Sequence, residues 1–546
     1  MNVRNLRLIA SLFLLPALAL APSANAAAAE KLGKVSFPVS CGAAVQQGFD
    51  HAMVLFLSFW YPQSIQAFTA LASKHSDCAM VYWGIALSTL RNPLGGYPMS
   101  AKEWKEGWAD VEKAKSAAAN TERERDYIAA MEALYKDSET RDLRTRQLAY
   151  EKVMEQVYLR YPNDREAAVL YALALNMSAL PTDKTYANQL KAGAILEKVF
   201  AEQPNHPGAA HYIIHSYDYP PIAERGLAAA RRYADIAPAA PHALHMPSHI
   251  FTRLGQWQES IQTNSAAAAV SHAAAAKMGP GIAGAEGMHA MDYMMYAYLQ
   301  SAQDREAKRI LEQVTAYQTA DIPGRIVPSY AFAAIPARYA VERGQWAEAA
   351  KLELHPNKYD FPWDSWPQSE AMLIFARAIG GARSRDAAGA RRDIERLKAL
   401  REALIAAKQT YWAGQTDIQI KAASAWVARA EGKNEEAIAL LREAADMEDK
   451  TEKHIVTPGY LLPAREMLGE LLLELGQPAP ALKEFEASTQ RELNRFRGLY
   501  GAARAAELSG EKDKAKTYYT KLMALSKNAD SDRQEIRQAK AFLASR

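Results

Sequence analysis

The sequence predicts an all-α protein built as one solenoid of about twelve antiparallel helix pairs, broken by insertions. Three observations predict it. Near the C-terminus, Leu468-Gly469, Gly476, Ala481 and Phe485 are followed 34 residues later by Ala502-Ala503, Gly510, Ala515 and Tyr519, the period of a helix-turn-helix unit. Turn signals recur in the same frame: Gly432 precedes Ala437 and Ala444, and Gly344-Gln345-Trp346 with Ala349 repeats Gly255-Gln256-Trp257 with Ser260. Finally, no Gly/Ser-rich linker, low-complexity tract or long single-sign charge run divides the 546 residues, although a yardstick of ~150 residues per domain would ask for several domains.

The elements follow in chain order. Arg4 and Arg7 precede an apolar run, Leu8 to Ala21, and Ala24-Asn25-Ala26 offers the small residues that a signal peptidase reads. Residues 1–26 therefore read as an export signal cleaved before Ala27, and the mature protein is expected in the periplasm or secreted. The run is too short to cross a ~30 Å hydrocarbon core comfortably, and no later segment reaches ~18 uninterrupted apolar residues, so no membrane span is expected. Residues 27–40 form an N-terminal extension, 41–529 the solenoid, and 530–546 a polar helix that caps the last repeat. Cys41 and Cys78, the only two cysteines, exclude a Cys-rich zinc module. They either bridge in an oxidising compartment or stay as two buried thiols.

Within the solenoid, Ser64, Phe68 and Leu71 open the series ahead of Tyr82-Trp83-Gly84. Ala192, Leu196, Val199 and Pro204 fall at positions 20, 24, 27 and 32 of another unit, and Pro238 closes the next. This pattern resembles the tetratricopeptide repeat (TPR) family, in which small residues at positions 8 and 20 let the two helices approach. The resemblance covers nearly all of the mature chain and implies a right-handed superhelix whose first helices line a concave groove. As a whole the chain is similar to exported bacterial TPR proteins of unsettled function. Insertions break the period at 91–100, 180–185, 279–287 and 450–463, where binding function often enters a solenoid.

Eight of the 12 histidines lie between His206 and His289. Four form two His-x-x-x-His pairs, His211 with His215 and His245 with His249, and the pairs are 34 residues apart. Side chains at i and i+4 share a helix face, and one repeat carries the second pair to equivalent points on the neighbouring first helix. With Pro204 and Pro238 as position 32, both pairs occupy positions 5 and 9 and face the groove. His242 and His289 fall at position 2, Asp292 and Tyr296 at 5 and 9 of the third unit, and Arg338 at 9 of the fourth. His replaces the Lys and Asn of the family's peptide-carboxylate clamps, so such a clamp is not supported.

Neutral imidazoles gathered with one carboxylate suit a d-block cation: copper, zinc, iron or manganese. The metal ligands expected are His211, His215, His245 and His249, with Asp292 and His289 as outer candidates. His242, Tyr217, Asp218, Tyr296 and Arg338 are expected to meet a ligand. Asp218 either orients an imidazole or is a solvated turn residue beside Pro220-Pro221. Repeat duplication can also copy histidines for packing alone. Met246, Met288, Met291, Met294 and Met295 lie nearby and are expected chiefly to fill the core, although thioethers favour copper(I). Pro247 should kink its helix between two of the ligands. Glu448 to His454 reads as a solvated helix end.

The 65 Lys plus Arg against 62 Asp plus Glu leave no basic field for a nucleic-acid backbone. Phosphate loops, dinucleotide glycine motifs, Gly-x-Ser-x-Gly elbows and His-Glu-x-x-His are all missing. The expected function is that of an exported TPR solenoid whose His-lined groove binds a transition metal and a small molecule, with a metal-dependent enzyme as one form of that reading. The alternative is a metal-free TPR scaffold that binds a peptide or protein segment in the cell envelope. A third reading is an envelope assembly factor working through its convex face.

Overall fold

The computed structural model describes residues 31–95, 99–322 and 325–545. The export signal proposed for 1–26 lies outside the described residues. Twelve consecutive helix pairs run from Ala43–Leu57 with Tyr61–Ala72 to Phe496–Leu508 with Lys512–Leu525, and Gln534–Ala544 follows. Each helix packs on its neighbours in sequence, giving an all-α solenoid of TPR type. The only strands among the described residues are Ile282–Ala283 and Thr319–Ala320, a two-residue parallel contact that ties down the 279–287 insertion.

The repeat residues act as their spacing demands. Gly476 and Gly510 both carry φ values above 70° in the inter-helix turns, where a β-carbon would be strained. Gly469 lies under the Phe485 ring, which a β-carbon would approach to 2.8 Å. Helix starts are fixed by side chains: Ser100 with Glu103 and Thr121 with Glu124 form reciprocal caps. Pro247 interrupts its helix as expected. The break falls at Met246, and Pro241–His245 continues into Pro247–Arg253 with Met246 still in right-handed helical geometry. The five methionines near the histidines are buried, and four of them belong to the apolar core of the middle repeats.

Cys41 and Cys78 are joined in a disulfide that ties the start of the first pair to the start of the second. Among the described residues no helix is long and apolar enough to cross a membrane.

The superhelix closes on itself. Trp257 Nε1 donates to Asn494 O at 2.9 Å, and Arg495 reaches Tyr296 Oη at 2.7 Å. Asp530 accepts from the backbone of Arg305 and Glu306, and Arg533 pairs with Asp304, so the last repeats lie against the middle ones. The 450–463 insertion runs inside the ring. Its residues Glu452, Lys453 and Thr457 are buried, which corrects the solvated reading of this charged stretch. Lys184 Nζ and Tyr186 Oη both bond Glu452, at 2.6 and 2.8 Å.

Burial pushes the Glu448 carboxyl up to about 8 at the entrance to this segment, where it accepts from Ala464 N. The folded protein keeps that proton while the unfolded chain loses it near the ordinary glutamate value, so stability falls as pH rises between the two and then levels. Glu448→Gln keeps the acceptor and removes the loss. Thermal unfolding should show the variant more stable than wild type by at least ~1 kcal/mol at pH 8, with the two converging near pH 4.5. Equal melting at pH 8 would contradict the buried, protonated carboxyl.

Candidate metal centre

Three consecutive first helices, Pro207–Tyr217, Pro241–Arg253 and Ala285–Gln300, bring six histidines to one buried cluster. His211, His215 and His242 form one triad and His245, His249 and His289 another, with one nitrogen from each residue of a triad within 4.8 Å of the others. The i, i+4 spacing sets His211 Nε2 at 3.1 Å from His215 Nε2, and His245 Nε2 at 3.1 Å from His249 Nε2.

The outer nitrogens decide which tautomer each ring adopts. His211 Nδ1 lies 2.7 Å from Leu57 O, His245 Nδ1 2.6 Å from Asn264 Oδ1, and His249 Nδ1 2.9 Å from Asp218 Oδ2. His242 Nδ1 faces Glu286 Oε2 at 3.2 Å. Each partner is an acceptor, the Asn264 amide being oriented by its own donation to Ser260 O at 2.7 Å. Nδ1 of His211, His245 and His249 therefore carries the proton, and the Nε2 atoms of these three rings present lone pairs. His242 Nε2 is buried with no hydrogen-bond partner among the described residues.

The consequence is sharpest at His245 and His249. Both tautomers are set from outside, so two lone pairs face each other at 3.1 Å with no hydrogen between them. That contact is repulsive unless a cation fills it. Two imidazole nitrogens bound at ~2.0–2.1 Å to one metal, at an angle of about 100°, stand ~3.1 Å apart. A proton is a poor occupant at neutral pH. Burial, and then the neighbouring imidazoles, hold His211, His215, His245 and His289 well below the usual imidazole range. Burial also lowers His249, against the pull of Asp218.

Asp218 is a buried orienting group. Burial raises its carboxyl, but Lys453, Arg253 and His249 outweigh this and hold it well below the ordinary aspartate range. Arg253 Nε donates to it at 2.8 Å, and Lys453 Nζ lies at 3.5 Å. Glu286 serves His242 in the same way and is paired with Arg325.

The cluster borders a cavity of about 340 Å³ through His215, His242, His249 and His289. Phe59, Ile326, Trp366, Trp412, Ile455 and Val456 give it apolar walls. Arg91, paired with Glu103 at 2.7 Å, lines the side supplied by the 91–100 insertion.

The other residues singled out in the sequence lie elsewhere. Asp292 falls outside both triads and pairs with the fully buried Arg338, Nε to Oδ1 2.8 Å. Arg338 also donates to Thr457 Oγ1 at 2.7 Å and to the carbonyls of Gly459 and Tyr460. Tyr296 is bonded to Arg495, and Gly459 packs against its ring. Arg338, at position 9 of its unit, thus does read a peptide backbone, and it is the chain's own 457–460. Tyr217 points away from the cluster and donates to Glu197 at 2.8 Å. Sequence reasoning missed Leu57, Asn264, Glu286, Arg253, Lys453 and Tyr293. Tyr293, one turn after His289, lies 3.4 Å from His249 and donates to Ile455 O and Thr457 O. Asn264 alone left a trace, as a buried amide on the alanine-rich helix Trp257–Ala275.

Among solved structures, the chain is similar to the human IFIT1 dimer with m7Gppp-AAAA, at 14% identity and a TM-score of 0.39 over 82% of this chain and 90% of that one. It is also similar to a chain of the APC/C hetero-tetramer Cut9-Hcn1, at 11% identity and a TM-score of 0.31 over 91% and 89%. The fold is evident in the helix pairing itself, and these likenesses add no argument about function. No protein-family model matches the sequence, and no curated protein does.

Proposed function

We propose that the chain is an exported TPR protein whose six-histidine cluster binds a transition metal and whose adjoining cavity admits a small molecule to that metal. The observation that carries the proposal is the pair of inward lone pairs on His245 and His249, each fixed by an acceptor behind the ring. Metal ligands are held in this manner, with the outer nitrogen donating to a carboxylate or carbonyl oxygen. His215, His242, His249 and His289 face the cavity, so a coordination position on that side would let the metal act on a bound molecule as a Lewis acid or redox centre. The Cys41–Cys78 bridge and the reading of residues 1–26 support an oxidising compartment, the periplasm or the exterior.

Elemental analysis of untagged, exported protein tests this. Wild type should carry at least one equivalent of a transition metal per chain, and His211→Ala and His245→Ala should each lower it. Folded wild type that takes up no metal on reconstitution would end the proposal. The alternative, a metal-free scaffold for peptides or proteins of the envelope, requires a free groove. Along Asp292, Tyr296 and Arg338 the groove is filled by the 450–463 segment.

A further inference from the structure

The two triads are copies of one half-site. His211 and His215 occupy positions 5 and 9 of one repeat and are completed by His242 at position 2 of the next. His245 and His249 occupy positions 5 and 9 of that next repeat and are completed by His289 at position 2 of the third. One repeat earlier the equivalent of position 2 is Gly208, packed on Leu57, and one repeat later positions 5 and 9 are Asp292 and Tyr296. The series therefore holds two complete triads and no third. They also touch. His215 and His249 have ring centroids 5.9 Å apart and His242 and His245 6.1 Å, no farther than His249 and His289 within one triad, at 6.2 Å.

We propose that the cluster is a two-ion copper centre, one copper on each triad, that binds dioxygen between them. This rests on the metal reading above and goes beyond it in number, element and ligand. The donor set argues for copper: each triad offers three imidazole nitrogens with no thiolate and no carboxylate among them. Imidazole nitrogen suits copper, and copper(II), the state reached on oxidation, stands above the other first-row dications in affinity, while manganese prefers oxygen donors and the common non-haem iron site carries a carboxylate.

Charge argues for the reduced ion. The carboxylates nearest the rings, Asp218 and Glu286, stand behind the outer nitrogens and are matched by Arg253, Lys453 and Arg325. Among the described residues, neither of these carboxylates is left unmatched to neutralise two buried dications. Two copper(I) ions bring half that charge. Dioxygen then supplies what oxidation needs: each copper(I) gives one electron, the O–O π bond is lost while the σ bond stays, and the product is peroxide bound between two copper(II) ions. The total charge of the centre is unchanged, and no proton or further reductant enters. The cavity meets two rings of each triad, which gives dioxygen access to both ions.

The test loads the full chain anaerobically with copper(I) and measures metal per chain, oxygen uptake and electron paramagnetic resonance. Wild type is expected to hold two copper ions, to take up one O2 per chain, and then to give no resonance because the bridged copper(II) spins couple. His242→Ala and His289→Ala should each hold one copper, lose this uptake and, after chemical oxidation, show one full spin. His242→Gln and His289→Gln serve where an alanine variant does not fold, and the wild-type measurements need no variant. One copper per wild-type chain overturns the pair but leaves the metal proposal standing. Two copper ions with no uptake, or two uncoupled spins, overturn the shared ligand. Retention of zinc in equal competition with copper overturns the element, and no metal of any kind ends both proposals.

Discussion

Asp218→Ala is expected to weaken metal binding by about 10–100-fold and to destabilise the fold by ~3–5 kcal/mol. The first effect follows because Asp218 fixes the proton on His249 Nδ1 and so aims the Nε2 lone pair inward. Without it the ring can turn or take the other tautomer. The second follows because Arg253 and Lys453, both buried, lose the one carboxylate they share. Competition against a metal chelator and denaturant unfolding of the metal-free protein separate the two. Asp218→Asn helps as a control, since the amide oxygen can still accept from His249 while the charge is gone. Affinity should then recover more than stability. If Asp218→Ala lowers stability but leaves metal affinity unchanged, the orienting role is refuted.

Arg338→Met should be nearly as damaging to the fold, at ~3–5 kcal/mol, while leaving all six histidines in place. The guanidinium is the shared partner of Asp292, Thr457, Gly459 and Tyr460, and its loss strands a buried carboxylate and two carbonyls. The double variant Asp292→Asn with Arg338→Met should regain part of the loss, because the uncompensated charge goes with it. Limited proteolysis gives a second reading, with cleavage in 450–463 faster in the single variant. A single variant that melts with wild type and resists protease equally would show that the ion pair does not hold this segment.

The histidine pairs were legible because a 34-residue period and an i, i+4 spacing are both properties of the chain itself. The same frame set His242 and His289 at one position, although it did not say which pair each would complete. What lies behind the rings was beyond reach. Leu57 O is 154 residues from His211, and Glu286 is 44 from His242, in the first turn of a helix that follows an insertion, so no local pattern connects them. The charged run Glu448 to Lys453 misled for the same reason. Read locally, such charge belongs in water, but its partners Asp218, Lys184 and Tyr186 are brought in by closure of the superhelix from more than 230 residues away. Asp292 was expected among the metal ligands from its repeat position, but it pairs with the nearby Arg338 instead.

The buried passage of 450–463 across the ring has a consequence for how the molecule comes apart. An open solenoid unfolds unit by unit, because each repeat feels only its neighbours. Here Lys184 with Glu452, Trp257 with Asn494 and Asp304 with Arg533 couple units that are remote in sequence. Melting should therefore be a single transition in which calorimetric and van't Hoff enthalpies agree. A truncation at either end should be felt at the histidines, since their shielding depends on both halves meeting over them.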